Sequence, residues 1–371
     1  MSSGGITTEE RADILQSFER VLVQKCRESD VRRTMATADG HDRELWNTIV
    51  DLGMTGLLID PRHGGIGAGP VEIELVMERA GKALLAGPFL ANAVLAAGLL
   101  GASSDEEAKQ RLLPAIMAGD WIATVALTGE GGFGSPTEVG VTAREADGWR
   151  LDGMASYVSC AHIADTLFVI AQHGAALSAF EVDPASSGVL ITPIETWDRT
   201  LRLSRISFHD VAATLIAGCD DRAIGAALDL GRVALAGEQV GAARHLFEMT
   251  IDYIRTRIQF GRPVGGFQAL KHMAADLLLE LESATSAVRD AAQALADAAP
   301  DARSRVALAA FACTDMFSQI AASAIQMHGG IAFTWEHPAH LYLRRARADA
   351  QLLGSASYHR ERFISLLEQA A

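Results

Sequence analysis

The chain has 371 residues, of which 46 are acidic and 32 are basic, so its formal net charge is −14. Hydrophobic residues make up 49% and charged residues 21%, which are ordinary values for a folded protein and exclude intrinsic disorder. The acidic balance argues against nucleic-acid binding, because such proteins usually present a basic patch. A chain of this length is expected to form two or three domains.

The four cysteines are scattered and form no C-x-x-C pair, so we expect neither a disulfide framework nor a metal site. Acidic residues lie near the N-terminus, where a secretory signal would need an apolar core. The uncharged stretch 83–102 follows a helical pattern, and Pro88 within it predicts a buried helix with a break at Gly87–Pro88. We therefore expect a cytoplasmic protein without a membrane span.

The order of the predicted elements divides the chain into three parts. Residues 1–118 have apolar positions at helical spacing, whereas residues 119–217 contain short alternating segments separated by Gly, Asp and Pro. Helical periodicity returns in residues 218–371 as long apolar stripes. The pattern predicts an α+β chain with an N-terminal helical domain, a middle antiparallel β domain and a C-terminal four-helix bundle.

Three motifs follow one another along the chain. They are the turn ALTGEGGFGS, the segment RTRIQFGRPVGGFQALKHMAADL and the segment IQMHGGIAFTWEHPAHLYLRRARA. Together they resemble the acyl-CoA dehydrogenase family of flavoproteins, and the resemblance covers nearly the whole chain. It implies the same three-domain plan, FAD as the cofactor and an acyl-CoA thioester as the substrate. It also implies a tetramer, homomeric or with a related chain, and an electron-transfer flavoprotein as the electron acceptor.

The bundle motifs supply residue types that suit a dinucleotide flavin, whose pyrophosphate needs cations or N–H donors. By resemblance, Arg257, Gln259 and Phe260 contact the FAD of the adjacent subunit, with Gln268 close by. A second turn contacts the adenine, ribose and pyrophosphate across the same interface, and its glycines allow a close approach to phosphate. The alternative is that this turn is only a helix cap and Arg257 a solvated charge. The residues of the turn are Gln326, Met327, His328, Gly329 and Gly330.

The middle domain would supply the other half of the flavin site. The family's L-T-E-P-G-A-G-S-D turn corresponds here to residues 127–136, where the Pro and the final Asp are absent from their places. The family's Trp-Ile-Thr strand begins here with a tyrosine. An ordinary glycine-rich hairpin beside a core tyrosine is the alternative interpretation. The flavin contacts implied in this half are Leu127, Thr128, Gly134, Ser135, Tyr157, Val158 and Ser159.

The reaction that the resemblance implies removes an α-proton and a β-hydride from the thioester, and it needs a carboxylate over the α-carbon. The family's two positions for that glutamate correspond here to Gly354 and Gly231, so the usual base is absent. Glu238 lies about two helical turns beyond Gly231 in an apolar stretch and is the candidate base. The alternative for Glu238 is an ion pair with an arginine such as Arg244. Weaker candidates are Asp229, Asp349 and Glu336.

Three functions are compatible with these residues. The first is an active FAD-dependent acyl-CoA dehydrogenase with a relocated base. The second is a non-catalytic subunit that completes the FAD site of a base-bearing partner chain, as in heteromeric members that act on bulky or steroid side chains. The third, a scaffold without flavin, is disfavoured because the bundle motifs retain Arg257, Gln268 and the turn 326–330.

Overall fold

The N-terminal part of the protein is helical. The computed structural model describes residues 6–130, 132 and 139–370. A π-helical segment, Phe89–Ala96, leads into the fifth α-helix, and the chain before it is not helical around Gly87–Pro88, so the predicted break is confirmed. The helices of this part are α1 (Thr8–Lys25), α2 (Glu28–Ala36), α3 (Arg43–Asp51), α4 (Pro70–Lys82), α5 (Ala97–Ala102) and α6 (Glu106–Ala118).

The middle part is a seven-stranded sheet that closes on itself. Its strands are β1 (Ala123–Ala126), β2 (Val141–Ala146), β3 (Gly148–Ser159), β4 (Thr166–His173), β5 (Ala176–Val182), β6 (Val189–Ile194) and β7 (Leu203–Leu215). They pair in the order β1-β4-β2-β3-β7-β5, and β5 pairs again with β4, while β6 pairs with β7. Most pairs are antiparallel as predicted, but β1–β4 and β2–β4 are parallel. A parallel pair needs a long connection, which alternation within a strand does not reveal.

The C-terminal part is a helical bundle. Its helices are α7 (Asp221–Thr256), α8 (Gln268–Ala296), α9 (Ala302–His328), α10 (Ala339–Asp349) and α11 (Ala356–Ala370), and a short hairpin of β8 (Ile258–Gln259) and β9 (Arg262–Pro263) joins the first two. Asp220 begins α7, because its side chain accepts hydrogen bonds from the N–H groups of Arg222 and Ala223. The domain limits predicted at residues 118 and 217 fall between α6 and β1 and between β7 and α7, and they stay a prediction.

Close contact between α4 and α7 joins the N-terminal part to the bundle. It depends on glycine, because a Cβ atom on Gly241 would lie 1.8 Å from the carbonyl oxygen of Glu78. A Cβ atom on Gly237 would lie 2.5 Å from the carbonyl oxygen of Glu74. The two backbones therefore approach closely, and this approach fixes where the middle of α7 faces the rest of the molecule.

Helix α9 is the most apolar element of the bundle. With the turn that follows, it forms a stretch of 32 residues, Ala302–Phe333, that is long and apolar enough to cross a membrane. However, 56% of its most apolar window is buried inside the protein. It contacts α7, α8, α10 and α11, so its position inside the bundle accounts for its composition.

Candidate functional site

A cavity of about 70 Å³ lies where the three parts of the chain meet, and we call it the central cavity. The loop after β1 and strand β3 form one wall, the segment 85–95 forms another, and α7 and α10 form the third. The predicted contacts Gly134 and Ser135 lie outside the described residues. The predicted site residues that line the central cavity are Leu127, Thr128, Tyr157, Ser159 and Glu238.

The β-domain wall of the central cavity is held by reciprocal hydrogen bonds. The Thr128 hydroxyl donates to the Ser156 carbonyl oxygen at 2.9 Å, and the Ser156 N–H donates to the Thr128 carbonyl oxygen at 2.7 Å. Tyr157 follows in a bulge of β3, with a φ angle of +59°, and a bulge of this kind re-aims a side chain. Val158, in contrast, is buried in the core of the sheet and does not line the cavity.

A larger cleft of about 540 Å³ adjoins the central cavity, since Tyr157 and Leu352 line both; we call it the outer cleft. Two arginines, Arg344 and Arg347, lie in its wall, together with the ring of Trp197. The Arg344 guanidinium lies over the Trp197 ring at 5.3 Å from the centroid. A cleft with cations and aromatic surfaces has the groups that a flavin requires.

The other predicted flavin residues lie at one end of the bundle, where α7 ends, α8 begins and α9 ends; we call this the bundle tip. Tyr253, in the last turn of α7, stacks on His328 with the ring centroids 4.5 Å apart. None of these residues lines the central cavity or the outer cleft. The exposed residues of the bundle tip are Arg257, Gln259, Phe260, Gln268, Gln326, Gly329 and Gly330, and the buried ones are Met327 and His328.

His328 is the polar side chain buried at the bundle tip. Its Nδ1 atom lies 2.8 Å from the Ala324 carbonyl oxygen, whereas its Nε2 atom has no hydrogen-bond partner among the described residues. Burial lowers the pKa of His328, so the ring is neutral at pH 7. Gly329 has a φ angle of +69°, which favours glycine at this helix end. An unpaired ring nitrogen beside exposed glycine backbone fits a nucleotide contact.

The two positions where the family carries its catalytic glutamate are crowded by neighbouring side chains. A Cβ atom on Gly231 would lie 2.4 Å from Cδ2 of Leu95 and 3.2 Å from Cδ1 of Leu353. Gly354 has a φ angle of +122°, and a Cβ atom there would lie 2.6 Å from Nε2 of His359. Glycine therefore matches the present packing at both positions, and at Gly354 it also matches the backbone conformation.

Glu238 lines the central cavity but forms an ion pair. It is buried, and its Oε1 atom accepts a hydrogen bond from Nη1 of Arg345. Arg244, the partner suggested by the sequence, instead donates to Glu282 at 2.8 Å. Burial raises the pKa of Glu238, and Arg345 acts in the opposite direction. The ion pair that was the alternative for Glu238 is thus present, with a different arginine.

Arg345 gathers three carboxylates, and we call Arg345, Asp198, Glu238 and Asp349 the anionic cluster. Arg345 is 1% exposed; its Nε donates to Asp198 at 2.8 Å and its Nη2 to the Thr200 hydroxyl at 2.6 Å. Asp349, one turn later on α10, is also 1% exposed, and neither of its carboxylate oxygens has a partner among the described residues. Burial, with Glu238 next, raises the pKa of Asp349 well above its usual range.

A second cluster has the opposite composition, and we call Asp229, Arg232, Arg303 and Arg362 the cationic cluster. Asp229 and Arg232 are buried, Arg362 is partly buried and Arg303 is exposed. Asp229 accepts from Arg232 at 2.7 Å and from Arg362 at 2.6 Å, and Arg303 lies 3.5 Å away. Asp229 is thus occupied by arginines. Glu336, the other weak candidate base, is exposed to solvent.

A third cleft, of about 770 Å³, lies between the loop 60–69 and the start of α7. None of the predicted flavin contacts lines it. Its charged side chains are largely paired, for example Arg62 with Asp60 and Lys109 with Glu106. It is therefore separate from the site built around the central cavity.

Comparison with known proteins gives a consistent result. The model of the acyl-CoA dehydrogenase N-terminal domain matches residues 8–120, and that of the C-terminal domain matches residues 221–365. Acyl-CoA dehydrogenase IpdE2 of Mycobacterium tuberculosis is 31% identical, over 94% of both chains, and acyl-CoA dehydrogenase FadE27 of the same organism is 30% identical, over 95% of both. A chain of the ChsE4–ChsE5 complex from this organism superposes with a TM-score of 0.90, at 28% identity and 98% coverage of each chain.

Proposed function

The chain belongs to the acyl-CoA dehydrogenase family of FAD-dependent oxidoreductases, which act on the CH–CH group of acyl-CoA thioesters, and we propose that it works as one subunit of a cytoplasmic tetramer. The observation that carries the dehydrogenase activity is the central cavity, which joins Leu127, Thr128 and Tyr157 to buried carboxylates. An electron-transfer flavoprotein would reoxidise the cofactor.

The flavin site is divided between two surfaces of the chain. We propose that the outer cleft and the β-domain wall hold the ring of one FAD, with Tyr157 beside it and Arg344 and Arg347 as cations. The bound cofactor supplies the acceptor for the β-hydride. The bundle tip, with Arg257 and the turn 326–330, would hold the nucleotide end of a FAD in the adjacent subunit. This division explains why the bundle tip is exposed although its residues match a binding motif.

A second candidate function is that of a partner subunit without a base of its own. It is favoured by the filled positions at Gly231 and Gly354 and by the central cavity, whose volume of about 70 Å³ is far below the roughly 300–1,000 Å³ of ordinary ligand pockets. The ChsE4–ChsE5 complex contains two different chains, ChsE4 and ChsE5. In this second function, the partner would bring the catalytic glutamate, and this chain would complete the partner's flavin site.

The cofactor contact is tested with Arg257→Ala. The variant should weaken FAD binding, because a hydrogen bond from a charged group contributes about 1.5–3 kcal/mol. Arg255→Ala is the matched control, since Arg255 is also exposed and lies only two residues away. The measurement is the dissociation constant of FAD, read from flavin fluorescence. Equal constants for Arg257→Ala and the wild-type chain would mean that this arginine is only a surface charge.

The assembly is tested by sedimentation and by the flavin content of the purified chain. One FAD per chain in a homotetramer supports the first function. A colourless chain that becomes yellow only with a related, base-bearing chain supports the second. A monomer at micromolar concentration that stays a monomer with such a partner would contradict both, because a divided flavin site cannot be completed by one chain.

A further inference from the structure

The central cavity contains more carboxylate than its cation can pair. Asp349 and Glu238 both line it, together with Arg345. Glu238 is hydrogen-bonded to Arg345, and so is Asp198, which also accepts from Thr200. Asp349 alone in this group has two buried carboxylate oxygens without a partner among the described residues. A buried carboxylate without a partner is costly, so it requires an explanation.

The position of Asp349 is fixed by its neighbours. It ends α10, one turn after Arg345, and Arg345 is anchored to α7 through Glu238 and to the loop between β6 and β7 through Asp198. Another wall of the cavity contains Leu127, Thr128 and Tyr157, the residues proposed to face the flavin. Asp349 thus lies on the same small cavity as the flavin-facing wall and is held there by a rigid helix.

We propose that Asp349 is the catalytic base of this chain and that Glu238 and Arg345 are positioning residues. This inference rests on the proposed function. The α-C–H bond of the thioester breaks and its proton passes to a carboxylate oxygen of Asp349. The β-C–H bond breaks with its electron pair, which leaves as a hydride to FAD, and a double bond forms between the two carbons. The substrate is thus oxidised by two electrons and FAD is reduced by two.

The surroundings of Asp349 suit a proton acceptor. Burial and the neighbouring Glu238 raise the pKa of Asp349, and Arg345 and Asp198 are the other charged groups that act on it. A base whose pKa lies nearer the working pH takes a proton more effectively than an ordinary surface aspartate. Glu238 has one oxygen committed to Arg345, whereas both oxygens of Asp349 are available.

The volume of the central cavity determines the probe. A cavity of about 150 Å³ accommodates benzene, with six carbons. The central cavity, at about 70 Å³, is about half that size and therefore has space for roughly three carbons. A short acyl thioester, butyryl-CoA, is the appropriate probe, and octanoyl-CoA is the long-chain comparison, which we expect to react more slowly.

The experiment uses the full chain and two readouts, flavin reduction with FAD bound and proton exchange with and without FAD. Anaerobic bleaching of the flavin by butyryl-CoA measures the complete oxidation, and uptake of deuterium at the α-carbon in D₂O measures proton removal alone. Asp349→Asn should lower both rates by about 10²–10⁴-fold and keep the FAD content, since the loss of a positioned base has this size. Glu238→Gln should cause a smaller loss, and Glu336→Gln, at an exposed carboxylate, should keep the wild-type rates.

The pH profile separates a base from a structural residue. The wild-type exchange rate should rise with pH as Asp349 loses its proton; this rise should persist in Glu238→Gln and vanish in Asp349→Asn. Wild-type rates in Asp349→Asn, or a wild-type chain that exchanges no α-proton of butyryl-CoA, would overturn the assignment of Asp349. Exchange is measured with and without FAD, so it tests Asp349 independently. A chain that takes up no FAD would instead contradict the first proposed function, that of a dehydrogenase active by itself.

Discussion

The anionic and cationic clusters both place buried charges of opposite sign together, but the anionic cluster is buried throughout, whereas the cationic cluster reaches the surface at Arg303. One arginine, Arg345, faces three carboxylates in the first cluster, and one carboxylate, Asp229, faces three arginines in the second. All three arginines of the cationic cluster lie within salt-bridge distance of Asp229. In the anionic cluster, the carboxylate of Asp349 makes no hydrogen bond among the described residues. The comparison indicates that the cationic cluster serves structure, whereas the anionic cluster retains a group free for chemistry.

The largest expected effect is the loss of the guanidinium at the centre of the anionic cluster. Arg345→Met keeps much of the side-chain volume but leaves Glu238 and Asp198 buried without their cation. Removing one partner of a buried ion pair costs about 3–5 kcal/mol, so the free energy of unfolding should fall by this amount. Arg347→Met, at an exposed arginine of the same helix, is the control and should change little. Similar losses in the two variants, measured by urea denaturation, would contradict a special role for Arg345.

The same substitution, Asp to Asn, should have different effects on the free energy of unfolding in the two clusters. Asp229→Asn removes the carboxylate that accepts hydrogen bonds from Arg232 and Arg362 and should cost about 3 kcal/mol. Asp349→Asn removes a carboxylate without partners and should not destabilise the protein. Denaturation of both variants at pH 7 checks the pair, and a destabilised Asp349→Asn would place Asp349 among the structural residues.

The pH dependence of the unfolding free energy should also distinguish the anionic cluster from the cationic cluster. The pKa of Asp349 is raised in the folded protein, so above the unfolded value of about 4 the folded state binds a proton that the unfolded chain has released. Rising pH therefore removes stability until Asp349 ionises in the folded state. Because Asn does not ionise, the unfolding free energy of Asp349→Asn should increase relative to that of the wild-type chain as the pH rises.

Beside the cationic cluster, His359 should instead lower the free energy of unfolding at acid pH. Burial, with Arg232 and Arg362 next, lowers the pKa of His359 to about 3, against an ordinary value of 6.5. Below pH 6.5 the unfolded chain binds a proton at this histidine and the folded chain does not. The unfolding free energy should therefore be about 2 kcal/mol lower at pH 5 than at pH 7 because of this residue. His359→Gln should lose that part of the acid dependence. Parallel pH curves for the variant and the wild-type chain would contradict this origin.

The sequence predicts the order of the three parts and most helices, because apolar periodicity records which face of each element is buried. Of the predicted helix 83–102, residues 89–102 are helical and residues 83–88 before them are not, and α7, α8 and α9 lie in the part where long apolar stripes are predicted. The parallel β1–β4 pair was not predicted, since pairing between distant strands leaves no local pattern. The single antiparallel arrangement expected for the middle part was therefore too simple.

The sequence indicates which residues form the candidate site better than it indicates how they are arranged. The motif residues Leu127, Thr128 and Tyr157 line one cavity, as their shared role requires. The partner of Glu238 could not be predicted, because Arg345 lies 107 residues away in the chain. Asp349 was only a weak candidate, since a sequence does not reveal which buried carboxylate lacks a hydrogen-bond partner. The one available signal was an Asp placed four residues after an Arg on α10, a spacing that brings both to one face.

The smallest expected effect concerns Gly354, which lies between the two clusters, after Asp349 and before His359. Its φ angle of +122° strains any other residue, and a Cβ atom would also meet Nε2 of His359 at 2.6 Å. Gly354→Ala should lower the unfolding free energy by about 1–2 kcal/mol. Gly261→Ala is the matched control, because Gly261 also has a positive φ angle but no described atom lies within 4 Å of its Cβ position. The difference between the two variants measures crowding against His359 apart from backbone strain.

Gly354→Glu, which restores the family's carboxylate in sequence, should share the cost of Gly354→Ala and leave the rate of α-proton exchange unchanged. An accelerated exchange in that variant would mean that the central cavity accepts a base from this turn after all.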